Sequence, residues 1–289
     1  MKTVLIATDF SNASRNASYY GIALAKETDA NVYLFNAYKV PTPSAGLNLS
    51  VSRYDVMMQT DKRLLEEANM LDPGNKGMEI ICDEGPPEET IIKIANEKKV
   101  DFIIAGMKGS GKNFKKIFGS TATSLSKKTN IPVIIVPEDA IYKSPGTIVF
   151  ASDTPVTDHE IPEQLTSIIR LFKSKLYVVK VIGNNNQEFF VVPESAQKKE
   201  TTDRDIEASF QYPKDADIRH TLSDFIDRHQ ADMIVMMPHK HEWIERLFKK
   251  SETKDMIFHT KIPLLILPEN HNKIPEFLKM EASEMQLNT

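Results

Sequence analysis

Ile131-Pro132-Val133-Ile134-Ile135-Val136-Pro137-Glu138 returns as Ile262-Pro263-Leu264-Leu265-Ile266-Leu267-Pro268-Glu269, an offset of 131 residues. The same offset carries Val100-Asp101-Phe102-Ile103-Ile104 onto Ala231-Asp232-Met233-Ile234-Val235, so a whole segment recurs in step. Nearer the start, Thr3-Val4-Leu5-Ile6-Ala7-Thr8-Asp9 matches Thr147-Ile148-Val149-Phe150-Ala151-Ser152-Asp153 at an offset of 144, which makes the second copy 13 residues shorter through its middle. Tyr142-Lys143-Ser144-Pro145-Gly146 has turn chemistry and no apolar period, as a linker should. The repeat predicts two domains, 1–140 and 146–269, with a polar tail over 270–289.

In the first copy, Val4 to Ala7, Val32 to Phe35, Met78 to Cys82, Phe102 to Ala105 and Val133 to Val136 read as strands. They are continuously apolar rather than alternating, which is the pattern of strands covered on both faces. Helical periods separate them. Ser11 is placed to cap a helix in which Ala17, Tyr20, Gly21 and Leu24 share a face; Leu64, Leu65 and Ala68 mark a second, after the loop Val40-Pro41-Thr42-Pro43. Gly85-Pro86-Pro87 turns the chain into a third, with Ile91, Ile94 and Ala95, and a fourth runs around Ala122 and Leu125. The succession predicts an α/β protein of two tandem doubly wound, parallel five-stranded sheet domains. Ligands of such sheets settle at the carboxyl ends of the strands, where the winding reverses. Attention therefore falls on the residues just after strands one, two and four.

Composition narrows the function classes. The 289 residues carry 36 Lys plus Arg against 40 Asp plus Glu, a net charge of −4, which argues against a nucleic-acid binder that neutralises phosphates over its whole surface. Hydrophobic residues at 41% and charged residues at 26% are those of a globular protein, not a disordered or fibrous one. The single Cys82 cannot form an internal disulfide, and its place in Glu79-Ile80-Ile81-Cys82 predicts a buried, inert thiol. Asp9 interrupts the first apolar run too early for a signal peptide, and no apolar run approaches the roughly 20 residues that span a bilayer. A soluble cytoplasmic protein with no membrane partner is the expectation.

After the fourth strand comes Gly106-Met107-Lys108-Gly109-Ser110-Gly111-Lys112-Asn113-Phe114-Lys115-Lys116-Ile117-Phe118-Gly119-Ser120-Thr121. Glycines bring successive amides close to an anion, and Ser120 and Thr121 open a helix whose free N–H groups and dipole favour phosphate. Lysines add diffuse positive charge. The opening fits GxxxxGK, but Asn113 stands where a P-loop needs a Ser or Thr hydroxyl for Mg2+, and the helix signal arrives later, at Gly119-Ser120.

Gly106, two residues, Gly109, nine residues and Gly119-Ser120 instead resemble the G-x2-G-x9-G-(S/T) nucleotide motif of the universal stress protein family. Thr8-Asp9-Phe10-Ser11, Glu84-Gly85-Pro86 and Asp101-Phe102-Ile103-Ile104-Ala105-Gly106 are similar to the family pattern in order and strand context, over essentially all of residues 1–138. The resemblance implies an adenine nucleotide alpha hydrolase-like, Rossmann-like fold binding ATP with Mg2+ in the first copy. It places Asp9 at the nucleotide, the backbone of Ala37 at adenine, Gly106 and Gly109 along ribose and phosphates, and Gly119, Ser120 and Thr121 at the phosphate tail. It also implies an internal pseudo-dimer through Val133–Val136 and Leu264–Leu267, or a homodimer of chains. The expected function is a non-catalytic stress-response regulator read by other proteins. The alternatives are a slow ATPase or phosphoryl-transfer enzyme, and an interaction module without nucleotide.

The second copy has lost the motif: Gly106 aligns with Met237, Gly109 with Lys240 and Gly119 with Lys250, while Asp153 and Ser251 persist. All 7 His lie in this half, with His239 and His241 where the phosphate loop stood. No Cys and no ordered carboxylate spacing completes a tetrahedral set, so no metal site and no catalytic residue are assigned. Trp243, Leu247 and Phe248 at helical spacing are expected to seal the vacated cleft or an interface. Ser195 to Asp205 is expected to be a solvated helix or loop, and Phe277, Leu278 and Met285 either an amphipathic turn or a frayed end.

Overall fold

The apolar runs of the first half become strands β1 (Lys2–Ala7), β2 (Ala30–Tyr38), β3 (Met78–Glu84), β4 (Phe102–Met107) and β5 (Val133–Pro137) of a computed structural model. It describes residues 2–41, 52–74, 77–107, 121, 124–125, 128–152, 161–180, 199–201, 207–211, 218–237 and 261–268. The chain divides into two compact units, 1–142 and 143–289. In the first unit the strands lie in the order β3-β2-β1-β4-β5, all parallel. Leu5, Ile6, Leu34, Phe35, Ile103, Ile104, Ile135 and Val136 are wholly buried, as strands covered on both faces require.

Helices α1 (Asn12–Thr28), α2 (Arg53–Leu71) and α3 (Pro87–Glu97) cover this sheet. The Ser11 hydroxyl caps α1 by accepting from the Ser14 N–H at 3.2 Å, and Pro87 at the first position of α3 gives up only an N–H that would have gone unpaired. The inner face of α2 is Leu64, Glu67, Ala68 and Leu71; Leu65, expected beside Leu64, is 48% exposed, because one residue along a helix is a turn of about 100°. Thr121, Ser124, Leu125 and Lys128 are helical, and Leu125 is buried.

The second unit repeats this plan with β6 (Thr147–Ser152), α4 (Glu163–Phe172), β7 (Lys175–Lys180), β8 (Lys199–Thr201), β9 (Glu207–Gln211), α5 (Ile218–His229), β10 (Met233–Met236) and β11 (Leu264–Ile266). Its order β11-β10-β6-β7-β9 is the first unit's order in the matching strands. The backbone details coincide as well. Left-handed residues stand at Asp29 and Lys173, 144 apart, and at Lys99 and Gln230, 131 apart. Asp101 accepts from Thr3 N–H at 2.8 Å, and Asp232 accepts from Thr147 N–H at 2.9 Å.

One strand exceeds the expected five: β8 pairs antiparallel with β9 at the edge. It falls inside the polar stretch expected to be loop or helix, whose sequence carries no apolar pattern to betray a strand; the pairing at this edge is made by the main chain.

Candidate functional site

β1 stops at the Ala7–Phe35 pair, while its neighbours run on, β2 through Tyr38 and β4 through Met107. The winding reverses between β1 and β4, since the chain goes β1 to β2 to β3 on one side and returns to β4 on the other. The crevice of a doubly wound sheet belongs at this point.

From Thr8 the chain turns into α1 through a net of hydroxyls. Thr8 Oγ1 lies 3.1 Å from Ser14 Oγ, and both residues are buried. The Phe10 N–H donates to Thr8 Oγ1 at 3.0 Å, and the Asp9 N–H reaches Ser14 Oγ at 3.3 Å. Asp9 Oδ1 accepts from the Ser11 N–H at 3.0 Å, an Asx turn that feeds the cap. Phe10 stands at φ 63°, where a bulky side chain is strained, and the Arg63 guanidinium lies 4.0 Å over its ring. Partial burial pushes the exposed-side carboxyl of Asp9 up, but the bonds from Ser11 and Ser14 together outweigh it and hold its pKa below the ordinary value.

On β2, alternation decides what Ala37 offers. Phe35 O accepts from Thr8 N–H at 2.9 Å, so odd residues face β1; Tyr38 O accepts from Gly85 N–H at 3.0 Å, so even residues face β3. The Ala37 N–H and C=O therefore point past the end of β1, and no hydrogen bond to either is among those the described residues make. Asn36, buried, donates from Nδ2 to Thr8 O at 2.7 Å.

Gly106 is not in a loop. It lies inside β4, paired with Val136, and has no positive φ. A Cβ there would sit 2.4 Å from Ala13 O and 2.7 Å from Ser14 N, so the residue's glycine nature lets the start of α1 lie directly on β4. Of the sequence-derived site residues, the structure brings Asp9, Ala37 and Gly106 to the same edge, and Thr121 is helical. Gly109, Gly119 and Ser120 lie outside the described residues, as do Ala122, Asp153, Lys240, Lys250, Ser251, His239, His241, Trp243, Leu247, Phe248 and the tail. Sequence reasoning missed Thr8, Ser14 and Asn36. An Asn in an otherwise apolar strand was the available signal.

Around the rim, Arg53 pairs with Glu84 at 2.8 Å and Lys93 with Asp83 at 2.9 Å. Cys82, opposite Asn36 in the ladder, is half-buried rather than buried, and its thiol donates to Asp61 Oδ1 at 3.0 Å. Burial first, then Asp61 and the charge of Asp83, push the thiol from 9.0 up to about 12. The folded chain thus keeps a proton that the unfolded chain releases above pH 9, so this group's contribution to stability is full below that pH and is lost as pH rises toward about 12. At about pH 8 the native thiol should react with a disulfide reagent much more slowly than the urea-unfolded chain; equal rates would refute the half-buried thiol bonded to Asp61.

A family model described as "Universal stress protein family" matches residues 1–137 and 194–268. A universal stress protein of Methanocaldococcus jannaschii is 30% identical over 140 residues, 47% of this chain and 81% of the relative. The stress response protein NhaX of Bacillus subtilis is 28% identical over 159 residues, 46% of this chain and 96% of the relative. In fold, a universal stress protein from Archaeoglobus fulgidus superposes with a TM-score of 0.64 at 16% identity, covering 93% of this chain and 98% of the other. Among the described residues no helix is long and apolar enough to cross a membrane, and no group of three His, Cys, Asp or Glu stands ready for a metal ion.

Proposed function

The chain belongs to the universal stress protein family, and from that premise we propose that its first unit binds an adenine nucleotide, ATP carried with Mg2+, at the carboxyl edge of β1, β2 and β4. The observation that carries the reading is the open peptide of Ala37 beside the Asp9 turn. A backbone N–H and C=O on one strand edge complement the ring nitrogen and exocyclic amine of adenine, and Asp9 supplies an acceptor for a ribose hydroxyl. Gly109, Gly119, Ser120 and Thr121 would take the phosphates through main-chain donors and a helix start. Mg2+ would come on those phosphates, its ordinary mode of binding. The second unit, with Met237 in place of Gly106, does not bind in this manner.

The protein acts as a cytoplasmic stress-response regulator whose occupied and empty states are read by protein partners, rather than as an enzyme. Asp9 is a poor candidate for a general base: its pKa lies below the ordinary value and one oxygen is committed to Ser11. Mass spectrometry of small molecules released from freshly purified, denatured protein should find an adenine nucleotide. Its absence, together with no ATP retained in equilibrium dialysis, would end the proposal. Gly109→Val should empty the site while Lys240→Ala leaves it filled, and equal losses would mean the two units have been given the wrong roles.

A further inference from the structure

We propose that Asn36 is a positioning residue: by taking the carbonyl of Thr8 with its side-chain amide, it ends the β1–β2 ladder one bond early and holds the Ala37 peptide open to a ligand. In a parallel pair, the bond from Thr8 N–H to Phe35 O is followed by one from the N–H two residues on, here Ala37, back to Thr8 O. That acceptor is taken instead by Asn36 Nδ2 at 2.7 Å, and the register ends at Ala7–Phe35. β2 has not frayed, because on its other flank it stays paired to β3 through Tyr38–Glu84. The opening is on the β1 side alone.

The second unit is an internal control. At the offset of 144, Asn36 corresponds to Lys180 and Thr8 to Ser152. There the β6–β7 register goes one pair further, from Ala151–Val179 to Ser152–Lys180. Where the amide is replaced, the ladder closes over the place that stays open in the first unit. A buried amide is also costly in a strand flanked by Leu34 and Phe35 unless it is bonded, and the bond it makes is the one that interrupts the ladder.

This inference rests on the nucleotide reading only for its purpose, and its test separates the two. Amide hydrogen exchange on the full chain, without ligand, should show Ala37 exchanging about tenfold faster than Phe35. In Asn36→Leu, close in size but without a donor, the ladder should close and Ala37 should slow about tenfold toward Phe35. Asn36→Ala serves as a second variant should the first fail to fold. The ratio of ATP to ITP affinity should fall about tenfold with the same change, since only a reader of the base edge distinguishes amine from carbonyl. Ala37 exchange in both variants equal to that of the unchanged protein overturns the proposal whether or not any nucleotide binds. Slowed exchange supports it even if neither protein binds ATP, in which case the nucleotide reading alone has failed.

Discussion

Gly106→Ala is expected to abolish nucleotide retention by the first unit and to destabilise it by about 1–3 kcal/mol. The added methyl would stand 2.4 Å from Ala13 O, 2.5 Å from Ala13 C and 2.7 Å from Ser14 N, all main-chain atoms of the start of α1. A carbon and an oxygen in contact need about 1 Å more than that, so the helix start must lift from β4. Ser14 would move with it. Its hydroxyl ties Thr8, the Asp9 N–H and Ser11 together, so the turn that presents Asp9 cannot keep its place. Gly21→Ala is the control. Its methyl would press on side chains, Ile6 Cδ1 at 2.7 Å, Ile104 Cδ1 at 2.9 Å and Ile6 Cγ1 at 3.0 Å, so its strain falls on the buried isoleucines and not on the main chain of the Asp9 turn, and alanine, the better helix former by about 1 kcal/mol, offsets part of that cost. That variant should keep its nucleotide. A Gly106→Ala protein with its full complement of nucleotide and an unchanged urea midpoint would show that α1 does not depend on the missing side chain.

The same residue marks the limit of what the sequence discloses. Gly106 opens a glycine motif, and glycine in a motif reads as a turn; nothing local says that β4 continues through it, because the partner that keeps it extended, Val136, lies 30 residues on. The five strands of the first unit and the cap at Ser11 were legible because each is written in its own run: unbroken apolar residues, or a hydroxyl before a helical period. The duplication was legible for the same reason twice over. Asp9 and Ala37 were placed by resemblance to a family, but why Ala37 is open depends on a bond from Asn36 to Thr8, 28 residues away and just past the end of β1. The polar edge strand β8 escaped detection because its pairing is with main chain, which any sequence can supply. Long-range partners chosen by shape and charge leave no period behind.

Arg15 and Glu67 are such partners, 52 residues apart, and Arg15→Met is the change expected to weaken the first unit most. Arg15 Nε lies 3.1 Å from Oε1 and 3.3 Å from Oε2 of Glu67, and Nη2 lies 3.0 Å from Oε2, which joins α1 to α2 by a fork. The Glu67 side chain is 4% exposed. The hydrogen bonds to Glu67, and then its charge, raise the Arg15 pKa further, so the pair is charged on the arginine side at every working pH. Removing the guanidinium leaves a buried carboxylate without compensation, a loss of about 3 kcal/mol, against a total of roughly 5–15 kcal/mol for a domain. The pair itself is worth far less than its breakage costs. Arg15→Met combined with Glu67→Leu should therefore recover most of the loss, since no charge is then left in the interior. Cys82, the sole thiol, lies in the first unit, so its exposure to a disulfide reagent along a urea series reports that unit's unfolding, and Trp243, the sole tryptophan, reports the other half by its fluorescence. The thiol transition should fall to lower urea in the single variant and return in the double. Equal transitions in the unchanged protein and the Arg15→Met variant would mean that solvent already reaches Glu67 and that the fork joins two surface groups.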